Sequence, residues 1–242
     1  ASMHFGVIYA MLLKKFLVQT RNSVTKYYLN IILVLSLFIT FVLMLQGGYS
    51  SFGKALLDSV FQVVSFISTT GFGNADNALW PVLANIFLLF AAFHCGCSGS
   101  TTGGVKADRM LIIFKEIGNE FKRRLHPSSV FCTKVDDHTV NNDQISGVFL
   151  YFVAYVFILF MSFLAVLLSG VEISDAFSGT LASIGNVGPG TGGLGTMGNY
   201  ASQPVFAKIT YTAVMFLGRL EIFPVLAVMN LVLNYRKGRG TS

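Results

Sequence analysis

The 242-residue sequence predicts an all-α integral membrane protein built from two copies of one unit: a helix, a re-entrant half-helix with its loop, and a second helix. Three observations carry the prediction. The chain is 53% hydrophobic and only 12% charged, where soluble domains carry about a quarter of their residues as Asp, Glu, Lys or Arg. Two stretches of bilayer length contain no charge. The second half of the chain also matches the first under a shift of 117 positions.

The first 26 residues, ASMHFGVIYAMLLKKFLVQTRNSVTK, start within an apolar run and end basic. They read as the end of a preceding transmembrane helix and a cytoplasmic linker, so the chain is expected to be a fragment or one half of a larger assembly. Tyr27 to Gln46 and Ile145 to Ser169 are the two uncharged runs, each beyond the roughly 18 apolar residues that mark a spanning helix. Two further spans start at prolines, one from Trp80 to Cys97 and one from about Pro204 to Tyr235. A proline suits the first helical turn, where its missing N–H has no partner to lose. Gly53 to Ile67 and Glu172 to Ile184 are apolar but too short to cross, and read as half-helices. The expected organisation is 1–26, a pore repeat with an interrupted second helix over 27–126, a cytoplasmic linker over 127–144, and a second pore repeat over 145–242.

Orientation follows from the basic residues. Fourteen of the 17 Lys and Arg lie before Tyr27, between Lys106 and Lys134, or after Tyr235, which makes those regions cytoplasmic. The loops GNADNAL and TGGLGTMGNYASQ then lie outside. The net charge of +6 is a topology signal, and nucleic acid is not expected as a partner. The three cysteines form neither a disulfide framework nor a zinc site, because Cys95 and Cys97 sit together at a helix end at membrane depth. His94 and Met215 read as packing residues.

The repeat aligns Asp58 with Asp175, Gly71 with Gly188 and Gly73 with Gly190 without a gap. Beyond these the offset grows to about 122 and brings Pro81 near Pro204 and Gly96 near Gly218. Asp58 and Asp175 fall toward the outer starts of their half-helices, where a cap or dipole partner is expected.

The aligned glycines lie in loops at half-membrane depth, where non-helical backbone is tolerated only inside protein or along a water-filled cavity. A dehydrated cation needs inward-pointing oxygens in place of its water shell, and glycine offers carbonyl orientations that a Cβ resists. Thr69, Thr70, Gly71, Phe72 and Gly73 spell TTGFG, close to the TVGYG of potassium-channel filters. Asn186, Val187, Gly188, Pro189 and Gly190 are the second copy. These ten backbone carbonyls are the predicted potassium ligands. The fold class is accordingly repeated helix, pore helix and filter loop, helix units, potassium-channel-like, with the half-helix C-termini turned toward a cation.

A second Gly-rich run, CGCSGSTTGGVK, interrupts the third long span. It lacks the GK[ST] ending of a phosphate loop. Its residues Ser98, Gly99, Ser100, Thr101, Thr102, Gly103, Gly104, Val105 and Lys106 are the predicted gate, an unwound segment facing the cavity. Arg219 lies about 15 residues, or roughly 22 Å, into the last span. A charge at that depth has to face water or a partner, so it either binds loop carbonyls or sets the electrostatics of the pore. Glu221, two positions on, points to another helix face.

These residues resemble the Trk/Ktr/HKT superfamily of potassium transporters, over essentially the whole chain. STTGFG and NVGPG are similar to its filter loops, CSGSTTGGVK to its intramembrane loop, and GRLEIF to its last helix; RRLHPSSVF resembles the Trk-type bacterial branch. The resemblance implies the third and fourth of four repeats around one pore, with an intramembrane gate and an arginine below the filter. It also implies a homodimer of complete subunits, a cytoplasmic nucleotide-binding regulatory subunit and a multi-pass place in the bacterial inner membrane among its lipids. Cys95 stands where the family usually has glycine. The missing N-terminal half has to come in cis or as another chain. The function expected is potassium uptake, with potassium as substrate and no covalent cofactor. The alternative is a non-conducting assembly or regulatory half-subunit. An enzyme is not expected, because Cys97, Ser98 and His94 lack a base and an orienting group.

Overall fold

In the computed structural model the described residues are 22–46, 49–97, 99–100, 102–126, 129, 131–136 and 138–220. The expected linker and helix end over 1–21, Ser98 and Thr101 of the Gly-rich run, and 221–242 with Glu221 lie outside them.

Seven helices carry the fold among these residues: α1 (Ser23–Leu45), α2 (Phe52–Ile67), α3 (Val82–His94), α4 (Ala107–Leu125), α5 (Asn142–Leu167), α6 (Ile173–Gly185) and α7 (Val205–Arg219). α1 starts four residues before the uncharged run because the Asn22 side chain caps it, accepting from the Val24 N–H at 2.9 Å. α5 likewise takes in the polar Asn142, Asp143 and Gln144 through a capping box between Asn141 and Gln144. Both are long and apolar enough to cross a membrane, with a mean hydropathy of 2.5. α3 has 13 residues, about 20 Å of helix, so it covers only part of a bilayer before the chain unwinds at Cys95.

Each unit packs its half-helix between the two helices that flank it in sequence. Tyr28, Leu35, Ile39 and Leu43 of α1 pack with Val63, Phe66 and Ile67 of α2 and with Leu88, Ala91 and Ala92 of α3. In the second unit Tyr151 and Tyr155 of α5 pack with Leu181 and Ile184 of α6 and Val214 of α7. Lipid is as apolar as these side chains, so close van der Waals approach rather than burial holds such helices together. Small residues permit it: a methyl added to Gly218 of α7 would overlap the Ile184 carbonyl, and one on Gly179 would lie 2.7 Å from Leu194 and 2.8 Å from the Tyr211 hydroxyl. Outward faces stay apolar and exposed, as at Phe41 on α1 and Val153 and Phe157 on α5.

Within the expected linker the structure adds a small antiparallel hairpin, β1 (Lys134–Val135) with β2 (His138–Thr139). Its sequence carries only two residues per strand, too few for a period-2 pattern to be read. α4 holds it by polar contacts: Lys115 Nζ donates to Lys134 O at 2.8 Å, Asn119 Nδ2 to Thr133 Oγ1 at 2.8 Å, and the Thr133 hydroxyl to the Glu116 carboxylate. Arg123 pairs with that carboxylate at 2.8 Å and with Glu120 at 3.1 Å. At the hairpin turn the Asp136 Oδ1 accepts from the Ser23 N–H at 2.7 Å, tying the hairpin to the start of α1.

Candidate functional site

Both half-helices end in the same way. At α2 the Thr70 N–H bonds Ser65 O at 3.0 Å and the Thr69 N–H bonds Phe66 O at 3.1 Å, with Thr69 left-handed at φ 54°. At α6 the Val187 N–H bonds Ala182 O at 2.9 Å and the Asn186 N–H bonds Ser183 O at 3.0 Å, with Asn186 at φ 55°. These are the paired 6→1 and 5→2 bonds of a Schellman ending, and every atom in one set maps onto the other under the shift of 117. Glycine usually fills the left-handed position; here Thr and Asn do. Two residues on, Gly71 (φ 71°) and Gly188 (φ 104°) are left-handed again. Alternating left-handed and ordinary residues turn successive peptide planes the same way, so that N–H groups gather on one side and carbonyls on the other. That arrangement is what a carbonyl-lined cation path needs.

The two loops rest on each other. A Cβ on Gly71 would overlap the Val187 carbonyl and lie 3.1 Å from Pro189 Cδ, while one on Gly188 would meet nothing within 4 Å among the described residues. Val187 itself is seated in the core of the first unit beside Phe66, Ala91 and Ala92. Thr69, Gly71 and Gly73 are half-buried and Thr70 and Phe72 exposed, whereas Val187 and Gly190 are buried.

Side chains brace the loops from behind. Ser65 Oγ donates to Phe72 O at 2.6 Å, and Gln62 Nε2 to Ala75 O at 2.8 Å. Asp58 is not a helix cap: it sits a full turn beyond the first turn of α2, and its carboxylate accepts from Asn74 Nδ2 at 2.7 Å, fastening the loop that follows Gly73. Asp175 does lie in the first turn of α6, where it accepts from the Gly193 N–H. On the second loop Asn186 Nδ2 reaches Met215 O on α7 at 3.1 Å, and the Tyr200 hydroxyl donates to Gly188 O at 2.9 Å.

Asn77, Thr196 and Tyr200 were not singled out from the sequence. Asn77 is fully buried; its Nδ2 donates to Gly190 O at 3.0 Å and its Oδ1 accepts from the Thr196 N–H at 2.8 Å. Thr196 Oγ1 closes the bridge by donating to Ala75 O at 2.7 Å. The outer loops of the two units are thereby joined across more than a hundred positions of sequence. No periodicity marks such a pair, and a polar residue in an outer loop reads as solvated.

The Gly-rich run between α3 and α4 closes on itself. The Ala107 N–H bonds Gly96 O at 2.8 Å and the Val105 N–H bonds Phe93 O at 3.4 Å, so the two ends of the loop meet. Cys95 has φ 48° and ψ −166°, a region almost reserved for glycine, which gives a conformational reason for glycine at that position. Its thiol donates to Ala92 O at 2.8 Å, and a Cβ on Gly104 would overlap it. Thr102 through Lys106 are buried, and a Cβ on Gly103 would lie 2.6 Å from Gly185 O at the end of α6. Gly99 is exposed at the tip, and Ser100 Oγ lies 2.7 Å from Thr102 Oγ1. Tyr151 donates to Gly104 O at 3.3 Å, and the Arg109 guanidinium stacks 3.9 Å from the Tyr151 ring. The run is thus packed under the second loop rather than hanging free, with Gly99 exposed at its tip among the described residues.

Arg219 closes α7 with its side chain exposed on this chain. His94 is buried and its Nε2 lies 3.0 Å from the Tyr27 hydroxyl, a satisfied packing histidine.

Two pseudo-equivalent units of helix, half-helix, left-handed loop and helix define an integral membrane protein of the pore-loop class. Residues 6–235 match the family model TrkH, described as a cation transport protein; the chain belongs to that family. It is 34% identical over 226 residues to the Trk system potassium uptake protein TrkH of Salmonella typhimurium, covering 93% of this chain and 46% of the relative. The protein of that name from Halomonas elongata is 38% identical over 175 residues, 72% of this chain and 36% of the relative. Among solved structures, the potassium transporter TrkH from Vibrio parahaemolyticus superposes with a TM-score of 0.84 at 29% identity, covering 93% of this chain and 48% of that one. The chain therefore spans about half the length of the relatives it matches.

Proposed function

We propose that this chain forms the second half of the pore of a potassium uptake system in the bacterial inner membrane. The carbonyls of Thr69 to Gly73 and Asn186 to Gly190 act as two of four parts of its filter. The observation that carries this reading is the identity of the two half-helix endings, down to the left-handed residues at 69 and 71 and at 186 and 188. A repeat kept only for scaffolding has no need to preserve backbone handedness in its loops.

The contact between the units also favours a ring. It is heterologous, because Gly71 of one loop meets Val187 of the next while the matching side of Gly188 is open among the described residues. Such contacts repeat until they close. An apolar groove along α2 lined by Leu56, Val60, Phe61 and Val64, with a volume of about 640 Å³, is the equivalent of the surface that α6 buries at Ser178 and Leu181. The remaining repeats would fill it, from the same polypeptide or another.

Potassium moves down its electrochemical gradient through this path, and the 98–106 loop gates it by shifting against the end of α6. Arg219 adds a positive charge below the filter. The basic face of α4 and its hairpin suit a cytoplasmic regulatory subunit that binds nucleotides, and the complete subunits pair as a homodimer. No catalytic chemistry is assigned to the chain. The test is rubidium uptake by liposomes holding the complete transporter. Gly71→Ser and Gly188→Ser should each abolish uptake in protein that still assembles. Undiminished uptake in both would remove the filter reading and favour a non-conducting half-subunit.

A further inference from the structure

The second loop is fastened at its carbonyls in a way the first is not. In the first loop the side-chain bond falls on Phe72 O, from Ser65 Oγ. The residue equivalent to Ser65 is Ala182, which has no hydroxyl to give. The second loop is instead held at Gly188 O by the Tyr200 hydroxyl, at 2.9 Å, and at Gly190 O by Asn77 Nδ2, at 3.0 Å. Both donors stand on rigid supports. The Tyr200 ring sits edge-on to the buried Tyr211 ring, 5.3 Å away at 79°, on the side of the loop that faces α5 and α7. Asn77 is fully buried and locked by Thr196.

A carbonyl that accepts a hydrogen bond has one lone pair engaged and its dipole aimed at the donor. It offers a weaker field to an ion, and the number and field of the coordinating dipoles are what discriminate one dehydrated cation from another. We propose that Tyr200 and Asn77 are specificity-determining residues: they withdraw the Gly188 and Gly190 carbonyls from full ion contact and fix the second loop as a weaker, non-equivalent quarter of the filter. The inference rests on the reading of the two loops as filter segments.

The test uses the complete transporter in liposomes, with rubidium and sodium uptake measured side by side. Tyr200→Phe deletes one hydroxyl and keeps the ring on Tyr211. Asn77→Ala removes the donor to Gly190 O together with the acceptor for Thr196. Each should lower the rubidium-over-sodium uptake ratio about five-fold, the equivalent of about 1 kcal/mol for one hydrogen bond, in protein that still assembles. Should one variant fail to assemble, the other decides. Unchanged ratios alongside a blocked Gly71→Ser control overturn this inference alone, as does a loss of rubidium and sodium uptake by the same factor. Full uptake in Gly71→Ser overturns the filter reading, and this inference with it.

Discussion

Replacing Gly71 and Gly188 by alanine, one at a time, separates backbone strain from packing and so tests the ring. Both residues are left-handed, at φ 71° and 104°, and an L side chain in such a conformation costs about 1–2 kcal/mol. At Gly71 the added methyl overlaps the Val187 carbonyl and comes 3.1 Å from Pro189 Cδ. A backbone oxygen and a proline ring cannot rotate away, so overpacking adds about 1–3 kcal/mol and the total reaches about 2–5 kcal/mol. At Gly188 nothing among the described residues lies within 4 Å of the methyl, and strain alone leaves about 1–2 kcal/mol. If a further repeat closes the ring by the same loop-to-loop contact, Gly188 meets the equivalent of Val187 in the complete protein and the two penalties become equal. The assay is the thermal midpoint of the complete transporter together with its rubidium uptake. Equal losses in both variants are expected. A Gly188→Ala protein that keeps its midpoint and its uptake, while Gly71→Ala loses both, would refute the closure of the ring by repeated contacts.

Three other outcomes follow from the same geometry. Deleting Gly99 to Gly104 should leave a folded protein, since the Gly96 carbonyl already meets the Ala107 N–H, and should raise rubidium flux; lower or unchanged flux counts against a gate. Arg219→Ala should raise cation flux, because a positive charge beside the path opposes a passing cation; a loss of thermal stability alone would make the arginine structural. The bond from the Ser23 N–H holds the Asp136 carboxyl below its ordinary range, so its stabilisation is present above the unfolded-state value and is lost as pH falls through the folded one. The protection factor of the Ser23 amide, its exchange relative to an unstructured amide at the same pH, should therefore be high at neutral pH and fall in strong acid, whereas in Asp136→Ala it is low throughout.

The two uncharged spans, the half-helices and the repeat were legible because each leaves a one-dimensional trace: an uncharged run, a short apolar run, an offset. The offset carried further than expected, since positions paired by it share even their left-handed backbone. Boundaries were less legible. α1 and α5 reach into polar residues because Asn22 and the pair Asn141 and Gln144 cap them, and hydropathy does not register a cap. The break after His94 was visible as a glycine-rich run, but its packing under α6 was not. A run of small residues reads as looseness, whereas here smallness lets Gly103 approach the Gly185 carbonyl.

Asp58 shows why the shift could also mislead. It aligns with Asp175, and one carboxylate is indeed in the first turn of its helix while the other reaches forward to Asn74. Sequence equivalence fixed the position and left the partner free. Asn77 and Tyr200 extend the point: each stands four positions before its repeat's proline, Pro81 or Pro204, yet the side chains differ and both donate to carbonyls of the second loop. Duplication supplies equivalent backbones, and any difference in how two loops treat an ion has to be written by residues that the repeat does not share. The residues to vary in search of selectivity are therefore the unmatched ones in the outer loops, ahead of the glycines that the two copies have in common.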